Sequence, residues 1–389
     1  MQLDFHYYAT YCAAVIAGYT HKESLDIAYC SQFTDCCSRT LLSKIGGPLS
    51  AATTQLSLEL MDAPTDPAGL QDITRIWASF HFLPGDLNAK TEKKFGKRFL
   101  RKYRLICKPN GEMLRDTVNL AKGRGVQAVG LAMHILADTW AHRWFAGTPS
   151  LAINNTNYYF YEYVQEGEGF KPRKIKFNNN PSGIDDPEKG IYTNSLYQGD
   201  EKNIMNLGHG RAGHFPDYSF ARYKYLPAWG GYREIFKDNP SDYYHAFCQM
   251  VYALSCLKTD SEFLTDIYAF DAVKPWEAEI KTILEKRQIN ACADWKAFAE
   301  KLSGSEVEDF DVDKYQKEYM EAGNEGKDDS FLGRYIIASL AQKSMVTNRI
   351  YKSGNPLAGE SVDYNKNRFR GIEDFRTLVK EFDRRHKDD

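Results

Sequence analysis

GVQAVGLAMHILADTWAHRWFA, residues 125–146, is apolar along almost its whole length yet carries His134, Asp138 and His142 at four-residue intervals. Four residues advance an α-helix by about 400°, so the three side chains drift only about 80° around the axis and share one face. Leu131, Met133, Ile135, Leu136, Trp140, Trp144 and Phe145 surround them, which predicts a helix buried nearly all round. Polar groups in such a helix must be paired or bound to something. Two imidazoles and a carboxylate facing one buried point suit a metal ion, because neutral nitrogen and anionic oxygen replace its water ligands.

Apolar residues recur at helical spacing in 3–17, 24–34, 112–122, 241–258, 275–287, 292–302, 311–322, 331–346 and 371–384 as well, which predicts a mainly α protein. Two stretches, TTQLSLELM (53–61) and FLRKYRLICKP (99–109), alternate apolar and polar residues and end in turn chemistry, which predicts a small β-hairpin. Residues 147–208 lack helical periodicity and are rich in Asn, Gly, Pro and Tyr, as in NNTNYYFYEYVQEGEGFKPRKIKFNNNPSGIDDPEKG (154–190). They read as a long irregular insertion. Residues 1–350 are expected to form one domain around that insertion, and 351–389 a charged tail or terminal helix.

At 389 residues, 43% apolar and 14% aromatic, the chain is long enough for a sizeable core. Net charge is −2, which argues against duplex DNA as a partner. The only basic cluster is KTEKKFGKRFLRKYR (90–104), interleaved with Phe95, Phe99 and Tyr103. It suits anionic lipid or single-stranded nucleic acid, and equally a solvated face. The start lacks the features of a secretory signal and no segment is long enough to cross a bilayer, so the expected location is cytoplasmic, or outside the cell by a leaderless route, with at most peripheral membrane contact. Eight cysteines without a Cys-x-x-Cys spacing read as reduced core residues.

The other histidines are informative by their company. His6 lies on the first apolar helix (DFHYYATY), Asp35 ends the second (IAYCSQFTD), and His81 sits in SFHFLPGD. His209 and His214 flank glycines in LGHGRAGHFPD, which ends at Asp217. Asp35 could instead cap the Cys36-Cys37-Ser38 turn, and Asp217 could cap a helix. His21 reads as a surface residue, His245 as core and His386 as tail.

Taken in order, these elements resemble the bacterial zinc-dependent phospholipase C superfamily, which includes the single-strand-specific nucleases of fungi and plants. The likeness covers roughly residues 1–260 and is nearest to an uncharacterised bacterial branch with similar His-Tyr-Tyr, IAYxSQxxD, HILADTWAH and GHGxAGxxPD elements. It implies a multi-helix bundle holding two or three zinc ions in a cleft. On that resemblance Asp35, His81, His134 and Asp138 hold one zinc, Asp138 bridges to a second that His6 also binds, and His142, His209 and Asp217 hold a third, with His214 an alternative to His209. Asp35 would also be the catalytic base. Two departures stand out. The secreted phospholipases ligate zinc through the amino group and carbonyl of the mature N-terminal residue, whereas His6 here lies near the start. They also use a longer Asp-to-His gap and a Glu where Asp217 is taken by analogy. The implied activity is hydrolysis of a phosphodiester by metal-activated water, on a phospholipid headgroup or nucleotide entering over 147–208. The alternatives are a single-strand nuclease or nucleotidase on the same metals, and a zinc-stabilised binding protein without turnover.

Overall fold

Helix α2 (His21–Cys36) lies along α7 (Gly125–Ala141), and the approach is set by a glycine. A Cβ added at Gly130 would collide with the Ile27 carbonyl oxygen and come within 2.6 Å of Cys30 Cβ. The two backbones therefore meet more closely than any larger residue permits, and this crossing carries Asp35 toward His134. The structure is a computed structural model that describes residues 1–56, 59, 67–92, 94–156, 159–178, 183–194 and 207–358.

The described chain is mainly α. A π-helical turn (Asp4–Ala9) runs into α1 (Thr10–Ile16), then α2, α3 (Arg39–Ile45), α4 (Pro67–Phe80), α5 (Lys97–Tyr103), α6 (Glu112–Leu120) and α7. After the sheet come α8 (Asn239–Thr259), α9 (Glu277–Glu285), α10 (Cys292–Ser303), α11 (Gln316–Glu321) and α12 (Phe331–Lys352). Local chemistry starts several of them. Thr20 and Glu23 form a reciprocal capping box on α2, and Ser38 and Ser330 accept from Leu41 and Gly333 at the starts of α3 and α12. Helix α7 is buried from Gln127 through Ala141, with α2, α8 and α12 packed around it.

Region 147–208 is not irregular throughout. It contributes β1 (Phe160–Glu166), β2 (Gly169–Lys174), β3 (Lys176–Asn178) and β4 (Ile191–Thr193). With β5 (Arg222–Tyr225) and β6 (Ile235–Asp238), the first two strands form an antiparallel sheet of order β2-β1-β5-β6, while β3 and β4 pair in parallel. The inner face of the sheet closes a second, aromatic core that includes Phe160, Phe215, Tyr223 and Tyr225 with Phe82 and Phe145. Glu162, buried in β1, accepts from Arg173, Arg287 and Tyr192, which compensates its charge.

The expected hairpin does not form. Residues 97–103 are helical: Phe99 and Tyr103, four residues apart, stack on one helix face, and Phe95, just before the helix, stacks on Phe99. Residues 53–56 belong to no strand, and 57, 58, 60 and 61 lie outside the described residues, as do the expected helix 371–384 and the tail beyond 358. All eight cysteines are unpaired. No helix among the described residues is long and apolar enough to cross a membrane.

Gly130→Ala is expected to lower stability by about 1–3 kcal/mol through overpacking, outweighing a gain of about 1 kcal/mol in helix propensity. Chemical denaturation would show a lower midpoint at an unchanged slope, and an equal or higher midpoint would mean that the α2–α7 contact yields.

Candidate metal centre

Five separate segments deliver imidazoles and carboxylates to one buried place. His6 comes from the π turn, Asp35 from the last turn of α2, His81 from the residue after α4, and His134 and Asp138 from α7. His209 and Asp217 come from the loop before β5. His142 caps α7, and the helix stops there: Trp144 takes a left-handed φ of 83°, which breaks the helical register expected through 146.

Three groups of donors each lie within 4.8 Å of one another: His6 with His134 and Asp138, Asp35 with His81 and His134, and His142 with His209 and Asp217. Asp138 sits between them. Its Oδ2 is 3.2 Å from both His81 Nδ1 and His134 Nε2, and its Oδ1 is 3.2 Å from His6 Nε2. Asp35 is more distant, 3.7 Å from His81 and 3.9 Å from His134 and His6. Four ligands placed tetrahedrally at zinc distances are separated by about 3.4 Å, close to these spacings.

The far sides of the rings are tied to the backbone. His81 Nε2 donates to the Thr53 carbonyl at 3.0 Å, His142 Nδ1 to the His81 carbonyl at 2.7 Å, and His209 Nδ1 to the Gly213 carbonyl at 2.8 Å. A carbonyl only accepts, so each of these nitrogens carries a ring proton, and the other nitrogen of each ring points at the acidic groups. Metal-ligating histidines are held in this way. His6 Nε2, fully buried, lies beside Asp138 without hydrogen-bond geometry and has no hydrogen-bond partner among the described residues. An orphaned ring nitrogen facing a shared carboxylate fits a metal ion better than it fits a packed core.

Burial pushes His6 down to about 4, with His134 adding to the effect and Asp138 opposing it. Burial likewise takes His209 to about 4 against the pull of Asp217. Both rings are therefore neutral near pH 7, the form that binds metal. Burial would raise Asp138 and Asp217, yet the neighbouring rings and the Met1 amine hold both well below the ordinary carboxylate range.

The amino group of Met1 reaches the same place, 2.8 Å from Asp138 Oδ1, 3.2 Å from Asp217 Oδ1 and 3.4 Å from His142 Nε2. Burial opposes its charge, but Asp138, Asp217 and Asp35 together push it up to about 11. Sequence reasoning did not place this group in the site, although Met1 precedes His6 by about one π turn. His209 and not His214 joins the third group, since His214 is 58% exposed and 3.6 Å from Asp217. Gly208 lets His209 approach, because any side chain there would overlap the Phe82 ring. Asp35 does not cap the following turn, a task done by Ser38. It is 31% exposed while Asp138 is 1% exposed, so Asp35 faces solvent and Asp138 does not.

Lys237 was also not foreseen. Its buried ammonium donates to the Trp140 and Ala141 carbonyls at 3.0 and 3.2 Å and pairs with Asp242 at 2.8 Å, capping the end of α7 that carries His142. Burial lowers its pKa while Asp242 opposes the shift. Lys237→Met is expected to cost about 3 kcal/mol, the lower end for breaking a buried pair, since Arg143 still reaches Asp242 at 2.9 Å. A thermal or denaturant midpoint equal to that of the parent chain would refute this role.

No curated protein and no solved structure matches the chain. A match over residues 1–350 places it in a family described only as a family of unknown function, DUF6765, and the chain belongs to that family.

Proposed function

We propose that this chain is a zinc-dependent phosphoesterase acting on a phosphodiester by attack of water, in the manner of a phospholipase C. The observation that supports this most is the combination of a buried, shared Asp138 with a half-buried Asp35 at the same cluster. A site meant only to hold metal has no need of a carboxylate that reaches solvent. When bound, zinc supplies Lewis acidity toward a phosphoryl oxygen and lowers the pKa of water.

The residues of the chain divide the remaining work. His6, His81 and His134, with Asp138 shared between them, hold charge at the floor of the site. His142, His209 and Asp217 do so at its second end. The Thr53, His81 and Gly213 carbonyls fix the ring orientations. Asp35 orients the attacking water and takes its proton as the water oxygen bonds to phosphorus and the ester P–O bond breaks, and it passes that proton to the leaving oxygen, which departs as the alcohol.

The deciding measurement is metal content together with turnover. Purified protein is expected to hold two or three zinc ions, and chelation should lower its melting temperature and abolish hydrolysis of a chromogenic phosphocholine ester, both returning with zinc. Zinc-loaded protein inert on that ester but active on single-stranded DNA or RNA would make it a nuclease. Zinc without turnover on either would make the ions structural.

A further inference from the structure

We propose that the start of α5 and the residues leading into it, where Lys90, Lys94, Phe95, Lys97 and Arg98 are exposed, form a docking face for an anionic lipid surface. The stretch 90–108 holds nine of the fifty Lys and Arg residues and one of the fifty-two Asp and Glu residues. It thus carries +8 while the rest of the chain carries −10. So sharp a local reversal favours contact of this part of the molecule with a negative surface over contact of the rest.

The structure shows what the charges stand on. Lys90, Lys94, Lys97 and Arg98 are exposed along the approach to α5 and its first turn. Behind them runs a ladder of rings. Phe95 stacks on Phe99 at 4.3 Å, Phe99 on Tyr103 at 5.9 Å, Tyr103 meets Trp229 at 6.2 Å, and Trp229 stacks on Trp144 at 5.5 Å. The faces of the inner rings are covered by one another, so the ladder offers few open faces on which bases could stack. Phe95, at its outer end, is 42% exposed among the lysines. A cationic rim around one exposed ring suits the boundary between headgroups and acyl chains.

The face is also joined to the metal centre. Cys107 bridges to Pro84, and Ile106 to Ala146, close behind His81 and His142. The Cys107 amide donates to the Phe145 carbonyl at 2.7 Å, and the Trp144 amide to the Cys107 carbonyl at 2.9 Å. Contact at this face is thus connected through the backbone to the segments carrying those histidines. The face stands independently of the phosphoesterase proposal, because its readout is binding and not turnover.

The test is co-sedimentation of the full chain with vesicles of phosphatidylcholine alone and of phosphatidylcholine mixed with phosphatidylserine. The parent chain is expected to pellet with the mixed vesicles only and to be released by high salt. Each exposed lysine contributes about fivefold, so the triple variant Lys90→Gln, Lys94→Gln, Lys97→Gln should partition on the order of a hundredfold less, with unchanged circular dichroism and metal content. Phe95→Ser should weaken binding while leaving its salt dependence intact. Three results would overturn the proposal: no preference for the anionic vesicles, equal partitioning of the triple variant, or displacement from the vesicles by a single-stranded oligothymidylate.

Discussion

Asp138→Asn is expected to leave purification with at most one metal ion per chain, held by His142, His209 and Asp217. The carboxylate is fully buried and places one oxygen or the other 3.2 Å from each of His6, His81 and His134. The amide keeps the size and loses the charge, and it replaces one of the two anionic oxygens with a group that cannot ligate a metal ion. Losing a group that only orients a ligand costs 10–100-fold in metal affinity, and losing a shared ligand should cost more than about a hundredfold. Elemental analysis and competition with a zinc chelator would measure the loss. Full metal content in this variant would show that Asp138 is a buried acid balanced by the Met1 amine, and the candidate centre would reduce to its outer groups.

Asp35→Asn should behave in the opposite way, retaining metal and losing turnover. Asp35 lies farther from the rings than Asp138 does and is the more exposed of the two, so its contribution to holding an ion is smaller and its access to a substrate greater. A general base contributes about 10²–10⁴-fold, and kcat on the phosphocholine ester should fall by that factor while zinc content stays level. Loss of zinc together with activity would make Asp35 a ligand only, and unchanged kcat would remove it from the chemistry.

Both variants turn on a site whose parts differ in how far they can be read without coordinates. The α7 triplet was legible, because four-residue spacing in an apolar run dictates a common face whatever surrounds it. His209 and His214 were not separable, since both flank glycines, and only the fold shows one turned inward and the other left in solvent. The sheet was missed because its strands are short, aromatic and interrupted by turns, and they gain their order from packing under Phe82 and Phe145. Helix α5 was misread because alternation and four-residue recurrence coincide over so few residues.

By itself the sequence determined the mainly helical class and the common face of His134, Asp138 and His142 on α7, since these follow from composition and local periodicity. Only the tertiary structure decided that His6, Asp35, His81, His209 and Asp217 meet α7 at one place, that the Met1 amine lies among them, and that Lys237 closes the end of the helix. The reason is physical: such meetings depend on how closely whole elements approach, as α2 does at Gly130, and on which backbone carbonyls are left to hold the rings, and neither is encoded in any short stretch of chain.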